Sequence, residues 1–230
     1  MTKTTADATT RGGKVMRRLL VESPTSLGAR ARLRRWDLFR ANFPDVTEMS
    51  VLDLGGTVES WQRAPVTPRR VTVLNLFEPG ESRDDSVVPV AGDACAARSA
   101  LESAGSDTSF DLVFSNSLLE HVGGHARRVD LAREIDALAP RHWVQTPYRY
   151  FPVEPHWLFP GMQFAPTKAR VAIARHWPLV HTRPKTYEGA RSSVLWTELV
   201  GVTEMQAYFP SSTILRERLA GLPKSLIAVR

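Results

Sequence analysis

The chain has 230 residues, 43% hydrophobic and 23% charged, a composition that suits one sizeable soluble core and is short for two. A single cysteine, Cys95, excludes an internal disulfide framework and a cysteine-based zinc site, and no apolar run approaches a membrane span or a signal-peptide core. The net charge is +6, yet residues 1–40 alone carry +7 and residues 41–230 carry −1. The excess therefore reads as a solvated basic arm and disfavours a nucleic-acid face on the body of the protein.

Residues 1–28 are expected to form a basic, disordered arm, and residues 29–230 a single domain. A helix is predicted over Gly28–Phe43, with Leu33, Trp36, Phe39 and Phe43 on one stripe and Pro44 as its stop. The central stretch follows. Met49–Leu54 is a short apolar run that ends in Asp53-Leu54-Gly55-Gly56-Thr57, a strand meeting a sharp turn where something can approach the backbone. Val58–Ala64 is predicted helical, and further strands are expected at Val71–Leu76, Val87–Ala91, Phe110–Ser115 and Trp143–Thr146. Each ends on a polar residue or a turn: Asn75 and Leu76, then Gly92-Asp93-Ala94, then Ser115-Asn116-Ser117, then Thr146-Pro147. An amphipathic helix is predicted at Ala126–Leu138 and others at Pro166–Trp177, Ser192–Val200 and Thr203–Phe209, with a closing strand pair at Thr213–Arg218 and Lys224–Val229. This is an α/β pattern: a Rossmann-like, doubly wound sheet, mostly parallel with an antiparallel last strand, in one domain with an N-terminal helical extension.

From about Arg30 to Arg230 the sequence resembles the class I S-adenosylmethionine-dependent methyltransferases. Their first turn usually reads Asp-x-Gly-x-Gly; here the second glycine is moved one place and Thr57 stands where it is expected. The resemblance implies S-adenosylmethionine as cofactor, with S-adenosylhomocysteine as product, held by Asp53, Leu54, Gly55, Gly56, Thr57, Asn75, Leu76, Asp93, Ala94, Ser115, Asn116 and Ser117. In the family an acid holds the ribose at the position of Asn75; asparagine can accept from one hydroxyl and donate to the other, and Glu78 offers a carboxylate nearby. Asp93 matches the acid that accepts from the adenine amino group, and equally suits a helix cap. The resemblance also implies that the first helix packs over the cofactor pocket.

The segment Phe110–Val122 would line the methionine end of the cofactor. It lacks the Asn/Asp-Pro-Pro-aromatic motif of DNA amino-methyltransferases. Glu120-His121 resembles part of the Glu-x-x-Glu-His signature of metal-assisted quinone O-methyltransferases, but Ser117 occupies the first position, so no metal is expected. The most distinctive segment runs from Thr146 to Gly161. Six of the nineteen aromatic residues lie between 148 and 164, four prolines stiffen the loop, and Arg149, Glu154 and His156 interleave with them. Some of those rings must cover the core, while others suit an acceptor. The pattern Thr-Pro-x-Arg-aromatic-Phe-Pro-x-Glu-Pro-His is similar to actinobacterial methyltransferases associated with saccharide modification.

An alcohol acceptor needs a base, and histidine titrates in the right range. His142 is expected at the amino end of the fifth strand, away from the site, and His125, His176 and His181 have no other feature in favour. His156 is the first choice, oriented by Glu154, and His121 the other candidate; Tyr148, Arg149, Tyr150 and Trp157 are the expected substrate contacts. The reading is an O-methyltransferase for a small-molecule or oligosaccharide acceptor, cytoplasmic, without a membrane span, and free to form a homodimer. A methyltransferase for RNA or a small natural product, and a non-catalytic cofactor-binding scaffold, remain as alternatives.

Overall fold

The computed structural model of the protein describes Ser23 and residues 26–77, 79–82, 84–180 and 183–230. Most of the expected basic arm, together with Glu78 and His181, lies outside the described residues. The chain divides into two compact units, one of Trp36–Tyr148 with Val200–Arg230, the other of the described residues up to Arg35 with Arg149–Leu199. The first is the sheet unit.

The helices are α1 (Leu27–Asn42), α2 (Val58–Gln62), α3 (Ala97–Ser103), α4 (His125–Leu138), α5 (Thr167–His176), α6 (Tyr187–Leu195) and α7 (Val202–Tyr208). The strands are β1 (Ser50–Leu54), β2 (Arg70–Asn75), β3 (Val87–Ala91), β4 (Leu112–Asn116), β5 (Arg141–Pro147), β6 (Val153–Glu154), β7 (Phe159–Pro160), β8 (Thr213–Leu219) and β9 (Leu222–Val229). Seven of them make one sheet in the order β3-β2-β1-β4-β5-β9-β8. Neighbours among β1 to β5 run parallel, and β9 is antiparallel to both β5 and β8. The order reverses at β1 and β4, where the chain crosses from one half of the sheet to the other. Open α/β sheets bind ligands at such a switch, beyond the carboxyl ends of the strands.

Parallel strands covered on both faces read as apolar runs, and β1 shows why. Leu52 and Leu54 point into a cluster with Leu74, Leu101, Leu131 and Ile135. Val51 points the other way, into a cluster with Phe39, Phe43, Phe114 and Trp143. Leu33, expected on the stripe of α1, is 58% exposed. The β8–β9 hairpin closes on Ala220 and Gly221, both at positive φ, as a two-residue turn matched to strand twist requires.

In the second unit, Trp157, Met162, Val171, Ala174, Val180, Ala190 and Val194 form a core of their own. Helix α6 begins five residues earlier than the helix expected at Ser192, because the Thr186 hydroxyl caps it by accepting from the Gly189 N–H at 3.0 Å. Among the described residues, no helix is long and apolar enough to cross a membrane.

Candidate functional site at the carboxyl edge of the sheet

The turn after β1 is built around two glycines held for different reasons. Gly55 has φ +87°, and a Cβ there would press on the Leu118 side chain at 2.9 Å. A Cβ on Gly56 would overlap the Asp53 carboxylate. Asp53 itself is buried, and its Oδ2 accepts from the Trp61 indole Nε1 at 2.7 Å. Burial pushes its carboxyl up to about 7, while the Trp61 and Gly56 N–H bonds pull the other way. Asp53 thus supports the turn from beneath. Leu54 is buried and its carbonyl accepts from the Ser115 hydroxyl at 3.0 Å. Thr57 caps α2 in a reciprocal pair with Ser60.

Next to this turn, Asn75 ends β2. Its Nδ2 donates to the carbonyls of Gly55 at 3.1 Å and Gly56 at 2.8 Å, and its Oδ1 accepts from the Phe77 N–H at 3.1 Å. The donor and the acceptor expected on a ribose are thus both engaged with backbone. Leu76 and Phe77 are exposed as they leave the sheet. The register pairs Asn75 with Ala91, so these two apolar residues emerge beside Gly92 and Asp93.

Asp93 accepts from the Cys95 N–H at 2.9 Å, capping the short turn that starts at the buried Ala94. Arg127 of α4 donates to both of its oxygens, at 2.7 and 2.6 Å. Partial burial raises the carboxyl, but Arg127 and the Cys95 N–H outweigh it and hold Asp93 below the usual carboxylate range. The Arg127 Nε also donates to the Val122 carbonyl at 3.2 Å, tying the segment after β4 to the end of β3.

At the end of β4, Ser115 is buried and Asn116 Oδ1 accepts from the Trp143 indole at 3.3 Å. Ser117 has φ 56°, a left-handed conformation uncommon for serine, secured by its N–H on the Gln145 carbonyl at 2.9 Å and its hydroxyl on Gln145 Oε1 at 3.2 Å. Residues 117–124 form turns and bends, and α4 begins at His125. Glu120 is buried and its Oε2 accepts from the Thr146 hydroxyl at 2.8 Å; His121 Nε2 lies 4.0 Å from Glu120 Oε1. Tyr148 packs half-buried on the core of the sheet unit.

The second unit carries the other expected group. His156 Nδ1 meets Glu154 Oε1 at 2.7 Å, and the buried Glu154 also accepts from the Trp157 N–H at 2.8 Å. Trp157 is in the core of this unit, whereas Tyr150 is exposed and stacks on Phe164 with ring centroids 5.9 Å apart. Gln163 Nε2 donates to the carbonyls of Arg149 and Phe151, at 3.0 and 2.7 Å, on either side of Tyr150. Arg149 Nε donates to the Leu199 carbonyl at 2.7 Å.

The other histidines are placed differently. His125 contacts the Tyr208 hydroxyl at 3.1 Å, and His176 ends α5. His142 is the second residue of β5, fully buried, with Nε2 on the Ser212 hydroxyl at 2.7 Å. Trp61, Arg127 and Gln163 were not singled out from the sequence. A carboxylate inside an apolar strand does signal that a donor must exist, but nothing in the spacing identifies Trp61 or Arg127 as the donor.

No protein-family model matches the chain, and no curated protein does. Solved structures do. An S-adenosylmethionine-dependent methyltransferase from Anabaena variabilis is 13% identical over 84% of this chain and 81% of its own, with a TM-score of 0.54. One from Mesorhizobium loti is 17% identical over 85% and 97%, at 0.53. The 1,6-didemethyltoxoflavin-N1-methyltransferase of Burkholderia thailandensis, solved with its substrate and S-adenosylhomocysteine, is 13% identical over 86% and 76%, at 0.52. At these identities the likeness is one of fold: a mostly parallel, helix-flanked, Rossmann-like sheet of seven strands with its last strand antiparallel.

Proposed function

We propose that the protein is a methyltransferase that uses S-adenosylmethionine and delivers the methyl group to an acceptor hydroxyl, on a sugar or a polysaccharide precursor. The observation that carries this reading is the strand order β3-β2-β1-β4-β5-β9-β8 with β9 reversed, shared in fold with the methyltransferases above. The residues at its carboxyl edge suit the group. A turn of two glycines without side chains lies half-buried at Gly55 and Gly56, Leu76 and Phe77 offer apolar contact for a flat ring, and Asp93 is ionised and half-exposed beside them to accept from an amine. Asp53, Leu54, Thr57, Ala94 and Ser115 support that edge through bonds and packing within the fold; Asn116 and the strained Ser117 border its far end.

When bound, S-adenosylmethionine supplies an electrophilic methyl on a sulfonium. The protein's share is then to align the acceptor and take its proton. His156 is the group suited to that step, because the Glu154 carboxylate holds its Nδ1 and orients the imidazole ring. His121, beside Glu120, is the second candidate. The exposed, stacked Tyr150 suits the apolar face of a sugar ring. Tyr148, Arg149 and Trp157 act by shaping the loop.

The test is release of S-adenosylhomocysteine from S-adenosylmethionine when saccharide acceptors are offered. His156→Ala should keep S-adenosylhomocysteine affinity while turnover falls by roughly 10²–10⁴, the usual worth of a general base. Equal loss of binding and turnover would reject His156 as the base. Turnover on nitrogen acceptors alone would reject the hydroxyl assignment.

A further inference from the structure

Asn75 occupies the position at which the fold expects a ribose ligand, yet its side chain is bonded to protein backbone on every polar atom. The amide has two N–H hydrogens, and the carbonyls of Gly55 and Gly56 each take one. Its oxygen accepts from Phe77 two residues on, the local turn that asparagine favours. The backbone at the same place extends the sheet: Gly55 N–H donates to the Leu74 carbonyl at 2.8 Å and Gly92 N–H to the Asn75 carbonyl at 2.9 Å. Four elements of the carboxyl edge therefore meet at this residue: the turn after β1, the end of β2, the segment leaving it, and the start of the turn after β3.

We infer that Asn75 is a positioning residue that clamps the Gly55-Gly56 turn in its cofactor-ready shape, and that it is not the ribose ligand. The inference rests on the cofactor reading above for its consequence, though not for its geometry. Chemistry explains why this residue is an amide. Two carbonyl oxygens converge on Nδ2, and only a side chain with two donors can satisfy both. An aspartate in the same place would face those carbonyls with acceptors alone. It would lose both bonds and add repulsion. Gly56 presents its carbonyl to Asn75 while the Asp53 carboxylate occupies the space where its Cβ would lie. The rearranged glycine order and the asparagine thus form one device, with Asp53 below the turn and Asn75 beside it.

This gives an expectation opposite to the one drawn from ribose chemistry. Asn75→Asp would introduce the acid that ordinarily holds a ribose, and should nonetheless weaken S-adenosylhomocysteine binding by about tenfold or more, the worth of two lost hydrogen bonds to a partly buried turn. Asn75→Ala should weaken S-adenosylhomocysteine and its 2′-deoxyribose analogue by the same factor, so that the ratio between them stays at the wild-type value. Hydrogen exchange without ligand, on the full chain, should speed up at Gly56 and Thr57 in both variants. Should Asn75→Asp fail to fold, Asn75→Ala carries both measurements. Tighter or equal binding by Asn75→Asp, loss of the ribose ratio in Asn75→Ala, or unchanged exchange at Gly56 and Thr57 would each overturn the clamp. If the wild-type protein bound no S-adenosylhomocysteine, the cofactor reading would fall, and exchange alone would decide the clamp.

Discussion

At the scale of single residues, Asp93 has two duties that can be separated. It caps the turn after β3 through the Cys95 N–H, and it carries a charge held in place by Arg127 at the carboxyl edge. A neutral amide could still cap, but it would lose the charge pair. If that edge accepts from the adenine amine, Asp93→Ala should weaken S-adenosylhomocysteine binding by about 1–3 kcal/mol, since a desolvated donor on the ligand is left without its acceptor. Calorimetry reads this directly. Arg127→Ala should cost less, because it loosens the carboxylate without removing it. Unchanged affinity in Asp93→Ala would leave Asp93 as a cap alone. The same separation of duties explains what was hard to read in advance: Asp53 near the end of β1 and Asp93 just after β3 both close apolar runs, but one is buried under Trp61 and the other is half-exposed on Arg127. The local sequence around the two does not distinguish them.

At the scale of elements, the last turns of α1 are built into one face of the sheet. Trp36 stacks on Phe114 with centroids 5.4 Å apart, and Phe39 lies within 5.5 Å of Trp36, Phe43, Phe114 and Trp143. Phe39 is fully buried, so Phe39→Ala should cost about 3–5 kcal/mol, the range for emptying an aromatic site in a close-packed core. Urea unfolding measures it, and a loss below 1 kcal/mol would mean that α1 is only loosely attached. Elements with a clear period were the legible ones. Strand β3 has the expected bounds, and α4 begins one residue before the expected Ala126. The missed elements lack such a signal. Strands β6 and β7 have two residues each, too few to show alternation, and α6 starts where Thr186 caps it, ahead of the expected Ser192. Leu33 fell on the predicted stripe and is exposed because a helical period specifies a face, not how far the neighbouring structure extends along it.

At the scale of the whole molecule, two buried groups give the stability of the sheet unit opposing dependences on pH. Asp53 is raised from 3.8 to about 7 by burial. Between those values the folded chain keeps a proton that the unfolded chain has lost, so stability falls as pH rises, by about 4 kcal/mol across the window. His142 is lowered from 6.5 to about 4, by burial first and then by the nearby Arg230 charge. Between 4 and 6.5 the unfolded chain holds the extra proton, so stability rises with pH, by about 3 kcal/mol. The two slopes nearly cancel from pH 4 to 6.5. Asp93 and Asp111, both held below the usual carboxylate range, lose their contribution only as pH drops below it. The wild-type unfolding midpoint in urea should therefore be nearly flat over this interval and decline slightly toward pH 7. Asn at position 53 keeps an acceptor for Trp61 but cannot titrate, so Asp53→Asn should expose the histidine slope, with stability falling as the solution is acidified from 6.5 to 4. His142→Gln keeps a partner for Ser212 and should expose the opposite slope, with stability falling as pH rises from 4 to 7. Parallel profiles for the wild type and both variants would show that neither buried group titrates as assigned. A change in only one variant would retain that group and reject the other.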